Sequence, residues 1–201
     1  EGDLGRQFEM IAYQASDKID RTIYERLNEL EFIAKLAAFR GSDRSVADRQ
    51  RLLEAMQDSS PDFAWLGFAD PSGRVLASTQ GLFAGADRAD SLWFRLAQGR
   101  SYAGPPRELP ELGRETSALN AESPRFLDLA VPVTDASGQS LGVLGAHLRW
   151  NWAQEVPFSV LPEGATRDRL GLTVYTSTRE PILDSGGSGW SVPPEPPVIA
   201  N

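Results

Sequence analysis

The stretch FLDLAVPVTDASGQSLGVLGAHLRW, residues 126–150, decides the fold of this chain. Apolar runs at residues 126–133 and 140–148 flank the sequence Asp135-Ala136-Ser137-Gly138. Such a sequence is typical of a tight turn, because glycine tolerates a positive φ. The stretch therefore predicts a β-hairpin, with one strand on each side of the turn.

A second hairpin is predicted upstream by the same turn chemistry. Residues 63–69 (FAWLGFA) and 74–79 (RVLAST) are short apolar runs separated by Asp70-Pro71-Ser72-Gly73. Between the hairpins the sequence indicates a short helix at residues 91–98 and an irregular stretch at residues 99–124 that is rich in glycine and proline. Two such hairpins predict one antiparallel sheet, and an irregular connection of this length is usually functional or mobile.

The N-terminal segment predicts one long helix. Apolar residues recur in steps of three and four from Leu4 to Leu36, and no proline interrupts residues 3–39. This pattern marks one stripe of a helix that is roughly 50 Å long, at about 1.5 Å per residue. Because the helix is longer than a small sheet needs, we expect it to bury part of its stripe on a partner copy, as a homodimer. A second helix is predicted at residues 46–57.

The chain after Trp150 is predicted to form a separate, smaller module. A linking helix at residues 151–158 leads to strands at residues 170–176 and 181–184, and a tail rich in glycine and proline follows. Two strands do not make a self-sufficient sheet, so either they join the main sheet or a second domain starts here and is truncated. We favour the second alternative.

Composition and charge exclude several classes of partner. The formal charge is −8 and the sequence pI is about 4.8, so a nucleic acid, whose phosphates need a clustered basic face, is not expected. The absence of cysteine removes disulfides, thiol catalysis and cysteine-bound zinc. Apolar stretches are far shorter than the ~20 residues that span a bilayer. Since the chain begins at Glu1 rather than at a methionine, we expect flanking membrane segments to lie outside it.

The sequence offers no catalytic or metal-binding pattern. His147 is the one histidine, and no Gly-x-Ser-x-Gly elbow surrounds a serine that it could activate. Glu108 and Glu111 form a carboxylate pair of the kind that glycosidases use, but among 28 acidic residues such pairs arise by chance. We therefore predict no enzyme activity, no cofactor and no metal site.

A group of aromatic residues is the best candidate for a site. Trp65 on the first strand, Trp93 and Phe94 on the short helix, and Tyr102 just after it lie near the irregular stretch. Small-molecule pockets need apolar walls with a few polar groups, but the same aromatics could form the core between helix and sheet. Both interpretations stay open. Four arginines are near enough in sequence to contact an anionic ligand, or are simply solvated: Arg88, Arg95, Arg107 and Arg125.

The order of these elements resembles the Cache family, the PAS-like extracytoplasmic sensors of bacterial transmembrane receptors. The resemblance rests on the long helix, the sequence FADPSGRVLAST at residues 68–79, the SLWF helix at residues 91–94 and the hairpin at residues 126–150. It covers residues 1–150, and the tail at residues 171–185 resembles the start of the second module of double Cache domains. The resemblance implies an α+β fold, with the long helix on a central antiparallel sheet of about five strands. It also divides the chain into a sensor module at residues 1–150 and, at residues 151–201, a linker helix with the start of a second module.

The resemblance also implies where a ligand binds. Ser91 stands where amino-acid-binding members place an arginine for the ligand carboxylate, and His147 stands where they place an aspartate for the amine. A standard amino acid is therefore not expected. An imidazole can donate, accept or change charge near neutral pH, so we expect a small organic ligand held partly by His147. The candidate ligand-binding residues are Trp93, Phe94, Tyr102, Arg95, Arg107 and His147.

A sensor of this family lies on the periplasmic or extracellular side of a bacterial inner membrane and relays its signal through the long helix to a cytoplasmic output domain. The sequence GAHLRWNWAQEV at residues 145–156 and the tail resemble most closely those receptors that carry a diguanylate cyclase. The alternative is a sensor-like scaffold without a ligand, which mediates dimerisation or binds a periplasmic protein.

Overall fold

The computed structural model of the chain describes residues 2–41, 45–112, 125–160, 173–176 and 181–184. The chain divides into two compact units. The sheet unit is Ile23–Trp150, and the terminal unit is Glu1–Thr22 together with Asn151–Asn201. In the part of the chain that is described, no helix is long and apolar enough to span a membrane.

The predicted helices and hairpin strands are present. The helices are α1 (Gly2–Ala34), α2 (Ala37–Arg40), α3 (Val46–Ser59), α4 (Leu92–Leu96) and α5 (Val156–Val160), with short 3-10 turns at Thr79–Gly81 and Asn151–Glu155. The strands are β1 (Phe63–Ala69), β2 (Val75–Ser78), β3 (Tyr102–Ala103), β4 (Arg107–Glu108), β5 (Arg125–Thr134), β6 (Ser140–Arg149), β7 (Thr173–Tyr175) and β8 (Pro181–Asp184). α4 is shorter than the helix predicted at residues 91–98, and the linking helix begins as a 3-10 turn.

The sheet unit contains one antiparallel sheet with the strand order β2-β1-β6-β5-β3, in which β4 also pairs with β5. The two predicted hairpins, β1–β2 and β5–β6, are therefore neighbours in a single sheet, because β1 pairs with β6. The predicted α+β class with a long N-terminal helix is confirmed. The sheet has six strands rather than about five, because β3 and β4 form within the irregular stretch and pair with β5.

Both hairpin turns are held by an aspartate carboxylate at their first position. Oδ1 of Asp70 accepts hydrogen bonds from the amide and hydroxyl of Ser72 and from the amide of Arg74. Oδ1 of Asp135 accepts the equivalent bonds from Ser137 and Gln139. Partial burial raises the pKa of Asp70, but the hydrogen bonds of the turn outweigh burial and lower the pKa below its usual value. The pKa of Asp135 is also lowered, mainly by the hydrogen bond from the Ser137 side chain.

The prediction of one unbroken helix over residues 3–39 is wrong. α1 ends at Ala34, and Leu36 has extended backbone angles (φ −68°, ψ 147°) before α2 begins. The break places Phe39 in the core, where its ring is fully buried and meets Phe68 of β1 edge-on, with 5.6 Å between ring centroids. Burial of an aromatic side chain therefore outweighs the local helix pattern.

α3 packs against β1 and β2 of the sheet. Its first turn is capped by Ser45, whose hydroxyl accepts the amide of Asp48 at 3.1 Å. Gln57 near its end donates from Nε2 to the carbonyls of Phe63 and Ala64 in β1. The helix is therefore fixed to β1, the strand through which the first hairpin pairs with the second.

The outer edge of β5 is only partly paired within the described residues. β4 and β3 pair with it along residues 125–130, whereas no described strand pairs with residues 131–134 on that side. The carbonyl of Asp128 accepts a hydrogen bond from the amide of Gly104, which follows β3. Backbone groups alternate in direction along a strand, so those of every second residue of β5 point away from β6, toward this edge. Pro132 is one of these residues. Proline has no amide to leave unpaired, which suits it to a strand edge.

The terminal unit has its own buried residues. Lys18 of α1 donates from Nζ to the hydroxyl of Ser159 in α5 at 2.8 Å. β7 and β8 pair with each other in a two-stranded sheet and do not join the main sheet. Its buried apolar side chains include Ala15, Ile19, Ala153, Val156 and Leu183.

Three predicted segments fall on residues that the structure does not describe. They are the second half of the irregular stretch (residues 113–124), the start of the strand predicted at residues 170–176, and the tail at residues 185–201. The proposed truncation of a second module therefore stays a prediction.

Candidate functional site

Three side chains form a row across one face of the sheet. In the strand register Trp65 of β1 is opposite His147 of β6, and His147 is opposite Asp128 of β5. Because the Asp128 carbonyl points toward Gly104, away from β6, Asp128 and His147 are a non-hydrogen-bonded pair, in which opposed side chains come closest. The register therefore brings an indole, an imidazole and a carboxylate together.

Asp128 is the centre of a buried hydrogen-bond network. Its Oδ1 lies 2.8 Å from Nδ1 of His147, and its Oδ2 accepts bonds from Nε and Nη2 of Arg107 at 2.9 and 2.7 Å. Asp128 and His147 are only 3% and 6% exposed, whereas the Arg107 side chain is 47% exposed. Both carboxylate oxygens are thus engaged, one by a buried imidazole and one by a guanidinium that reaches in from β4.

The network keeps Asp128 ionised and orients His147. Burial by itself raises the pKa of Asp128, but the hydrogen bond and charge of His147, with those of Arg107, outweigh burial and hold the pKa below its usual range. An ionised carboxylate can only accept, so it assigns a proton to Nδ1 of His147. The other ring nitrogen, Nε2, has no hydrogen-bond partner among the described residues and is an acceptor in this tautomer.

Two glycines make room for two indoles beside this row. Gly67 of β1 and Gly145 of β6 are opposite each other in the sheet. A Cβ atom on Gly67 would lie 2.1 Å from the Trp65 ring, and one on Gly145 would lie 2.7 Å from the Trp93 ring. Each indole therefore lies flat on bare backbone, which no other residue type allows.

The indoles form a packed aromatic cluster with the imidazole at its rim. Trp65 stacks on His147 with 4.9 Å between ring centroids and an interplanar angle of 27°. It also meets Trp93 edge-on at 6.1 Å, and Trp93 meets Phe94 at 6.0 Å. The Trp65 indole is fixed further by its Nε1, which donates to the carbonyl of Leu82 at 3.0 Å. A ligand that contacts His147 must bind at this rim or displace an indole.

Tyr102 and Arg107 border the row on its outer side. Tyr102 is opposite Ala130 of β5, one row from Asp128, and is partly buried. Burial and the charge of Asp128 raise the pKa of the Tyr102 phenol, against the opposing effect of Arg107. The phenol therefore stays protonated and can donate a hydrogen bond, as can the free N–H groups of Arg107.

The structure brings together five of the six side chains that the sequence selected. Trp93, Phe94 and Tyr102 belong to the aromatic cluster, and Arg107 and His147 meet at Asp128. Arg95 is exposed on α4 and takes no part in the network. Trp93 and Phe94 are buried in the core cluster, as the core interpretation expects. The pocket interpretation and the ligand-binding role of these residues stay predictions.

Sequence reasoning missed Asp128. The signal for it was present, because Asp128 is the one charged residue inside the apolar run FLDLAVPV, where a buried carboxylate needs partners. A carboxylate thus stands beside His147 after all, on the neighbouring strand. Among the described residues, no group of three histidine or acidic side chains could hold a metal ion.

Solved structures of similar fold are known, although no protein-family model and no curated protein matches the sequence. The ligand-binding domain of the Pseudomonas aeruginosa PAO1 amino acid chemoreceptor PctC, in complex with GABA, matches with a TM-score of 0.60 and 19% identity over 91% of this chain and 75% of that one. The ligand-binding domain of the Pseudomonas fluorescens chemoreceptor CtaA, in complex with L-serine, matches with a TM-score of 0.62 and 18% identity over 90% and 72% of the two chains. The sensor domain of the V. cholerae histidine kinase DctB matches with a TM-score of 0.59 and 18% identity over 77% and 59%. These similarities show the fold that the sequence pattern led us to expect.

Proposed function

We propose that this chain, which has the fold of a Cache-type sensor domain, is the extracytoplasmic ligand-sensing part of a bacterial signal-transduction receptor. It binds a small organic molecule on the periplasmic or extracellular side of the inner membrane and acts without catalysis. The similar structures support this proposal, because they are ligand-binding or sensor domains of chemoreceptors and of a histidine kinase.

The observation that carries the proposal is the oriented imidazole at the rim of the aromatic cluster. Asp128 fixes the proton of His147 on Nδ1, and Nε2 has no partner among the described residues. Because Asp128 fixes the ring and the position of its proton, Nε2 is an oriented acceptor, and a ligand group that donates to it gains a hydrogen bond without reorienting the imidazole. Apolar walls with a few fixed polar groups are the usual composition of a small-molecule site.

The network also indicates which ligands fit. Both oxygens of Asp128 are already engaged by His147 and Arg107, so the carboxylate is not free to hold a ligand ammonium group. The side chains that border the row, Tyr102 and Arg107, offer hydrogen-bond donors. We therefore expect a ligand with acceptor oxygens for these donors, a hydroxyl that can donate to Nε2 of His147, and no amine, in contrast to the amino acids bound by the similar chemoreceptor domains.

His147→Asn is the variant that tests this site. Asparagine can still donate from its amide to Asp128, while it removes the ring atom Nε2. A metabolite screen by thermal shift should find a saturable stabiliser of the wild-type chain, worth about 2.7 kcal/mol at a hundred times Kd. The variant should fold but show no stabilisation. Asp58→Ala, on the exposed side of α3, serves as the control and should respond like wild type; equal stabilisation of the asparagine variant would exclude His147 from the site.

Signal relay is proposed to be a population shift. A ligand that prefers one arrangement of the aromatic cluster raises the population of that arrangement and of the α1 position that goes with it. In this proposal α1 leads toward the membrane. The output domain is proposed from sequence resemblance alone, as a diguanylate cyclase. Its identity would be tested by measuring cyclic-di-GMP formation by the full receptor with and without the stabilising metabolite.

A second candidate function has one observation in its favour. α1 carries exposed apolar side chains at Met10, Tyr13, Tyr24 and Phe32, of which the last two are each 65% exposed. Their spacings of 3, 11 and 8 residues follow the helical period, so they share one face of the helix. A stripe of this kind marks an interaction surface. It supports a homodimer through α1, and in the alternative function this surface, rather than a ligand, is what the domain provides.

Replacing Tyr24 and Phe32 together by glutamate should abolish this dimer. Two charges buried in an apolar interface would remain unpaired, so sedimentation analysis should show a monomer where the wild-type chain is dimeric. Val46→Glu makes the same change at another exposed apolar residue, on α3, and should leave the dimer intact. A wild-type chain that is monomeric at high concentration would argue against the dimer, and failure of the metabolite screen would favour the scaffold over the sensor.

A further inference from the structure

A cavity lies in the sheet unit, between the end of α1 and the partly unpaired edge of β5. Its volume is about 300 Å³, at the lower limit of small-molecule pockets. None of the side chains that line it belongs to the network around Asp128. The lining residues include Glu31 and Ala34 of α1, Lys35 just after α1, Arg40 of α2, and Val131 and Pro132 of β5.

The acidic side chain of this cavity, Glu31, already has a hydrogen-bond partner within the chain. Glu31 accepts a hydrogen bond at Oε1 from the hydroxyl of Ser101, which precedes β3. This bond links α1 to the start of β3 and turns one carboxylate oxygen away from a ligand. Glu31 is therefore a wall of the cavity and a poor partner for a cation.

The two basic side chains of the cavity, Arg40 and Lys35, are not paired with a carboxylate among the described residues. Arg40 donates from Nε to the carbonyl of Thr134 at 2.8 Å and from Nη2 to that of Asp135 at 3.0 Å, which holds its guanidinium at the end of β5. Lys35 has no hydrogen-bond or ion-pair partner among the described residues. Glu31 precedes it by four residues, but α1 ends at Ala34, so the two do not meet as they would within a helix.

The cavity therefore combines an excess of positive charge with an apolar wall. With Glu31, Lys35 and Arg40 ionised, its lining carries one net positive charge, in a chain whose formal charge is −8. Ala34, Val131 and Pro132 supply apolar surface. A small anion can pair with Lys35 and with the remaining N–H groups of Arg40, while an aliphatic tail covers the apolar wall.

We infer that this cavity is a second ligand site, which binds a small monocarboxylate with a short aliphatic tail. A bound carboxylate bridges the end of α1 and α2 to the free edge of β5. It therefore fixes the junction at which the long helix breaks, independently of any ligand at His147.

Butyrate is the probe that tests this site, with butyramide as its neutral match and butylammonium as its cationic match. Calorimetric titration of the full chain at low ionic strength should show saturable binding of butyrate only, weakened by added salt. Lys35→Gln should weaken butyrate binding roughly tenfold or more, because a charge-assisted hydrogen bond is lost. Lys18→Gln removes the other lysine of the chain, which lies in α1 and contacts Ser159, and should leave the affinity unchanged.

His147→Asn separates this proposal from the one above. Butyrate binding should persist in that variant if the cavity at Lys35 is the site, whether or not His147 binds a different ligand. Three results would overturn the inference: no saturable butyrate binding by the wild-type chain, equal binding by the Lys35→Gln variant, or binding lost in His147→Asn and kept in Lys35→Gln.

Discussion

Replacing Asp128 by alanine is expected to lower the free energy of unfolding by about 3 kcal/mol at pH 7, because it leaves buried hydrogen-bonding groups without a partner. The Nδ1–H of His147 would lose its acceptor in a position that is 6% exposed. Arg107 would lose the same carboxylate, but its half-exposed guanidinium can return to water. Urea unfolding of the full chain measures the change.

The matched variant Asp128→Asn separates charge from shape. Its amide oxygen can still accept the Nδ1–H of His147, but the negative charge is gone, so we expect a loss of about 1–2 kcal/mol. Asp58→Ala on α3 should change stability by less than about 0.5 kcal/mol. A loss for Asp128→Ala no larger than that of Asp58→Ala would show that the network contributes nothing to the fold.

The lowered pKa of Asp128 predicts how the stability difference between wild type and Asp128→Asn depends on pH. A carboxyl whose folded pKa is below its unfolded value contributes stability that is fully present above the unfolded value, about 4, and is lost as the pH falls through the folded one. The difference in stability between wild type and Asp128→Asn should therefore shrink below about pH 4. A difference that stays constant down to the lowest pH at which the chain folds would contradict the ionised network.

Gly67→Ala is expected to cost about 2–3 kcal/mol, because the new methyl group overpacks a site with no free space. The Cβ would lie 2.1 Å from the Trp65 ring, whose Nε1 is held by the Leu82 carbonyl. The indole must therefore leave the sheet surface, which also breaks its stack on His147. Unfolding curves measure the loss of stability, and near-ultraviolet circular dichroism should show the altered tryptophan environment.

Gly99→Ala is the matched control for this variant. A Cβ on Gly99 meets nothing within 4 Å, so the same addition of one methyl group should change stability by less than about 0.5 kcal/mol. If the two variants were equally stable, or if the tryptophan spectrum of Gly67→Ala were unchanged, Trp65 would not lie on Gly67 in solution.

The hairpins could be predicted from sequence because their signals are local. Asp70 and Asp135 bond to the amides of their own turns, so four residues contain the information that fixes each turn. The break after Ala34 could not be predicted in this way. No glycine or proline marks it, and its cause, the burial of Phe39 beside Phe68, joins residues far apart in the chain. β3 and β4 have two residues each, too few for a periodic pattern.

The candidate site was predictable in part. Trp93, Tyr102 and His147 were found because their positions match a known pattern of elements. Asp128 was missed because its importance depends on register: a shift of one residue between β5 and β6 would turn the carboxylate to the opposite face from His147. Arg95 was included on proximity in sequence, whereas its place on the exposed side of α4 depends on how that helix packs.

Pro132 has a consequence for how copies of this chain can associate. On the β5 side of the sheet, a strand from another molecule could pair only with residues 131–134, along whose outer side no described strand runs. At that end proline offers no amide, and Arg40 already occupies the carbonyl of Thr134. This edge is therefore a poor template for adding strands, which disfavours polymerisation of the sheet through β5.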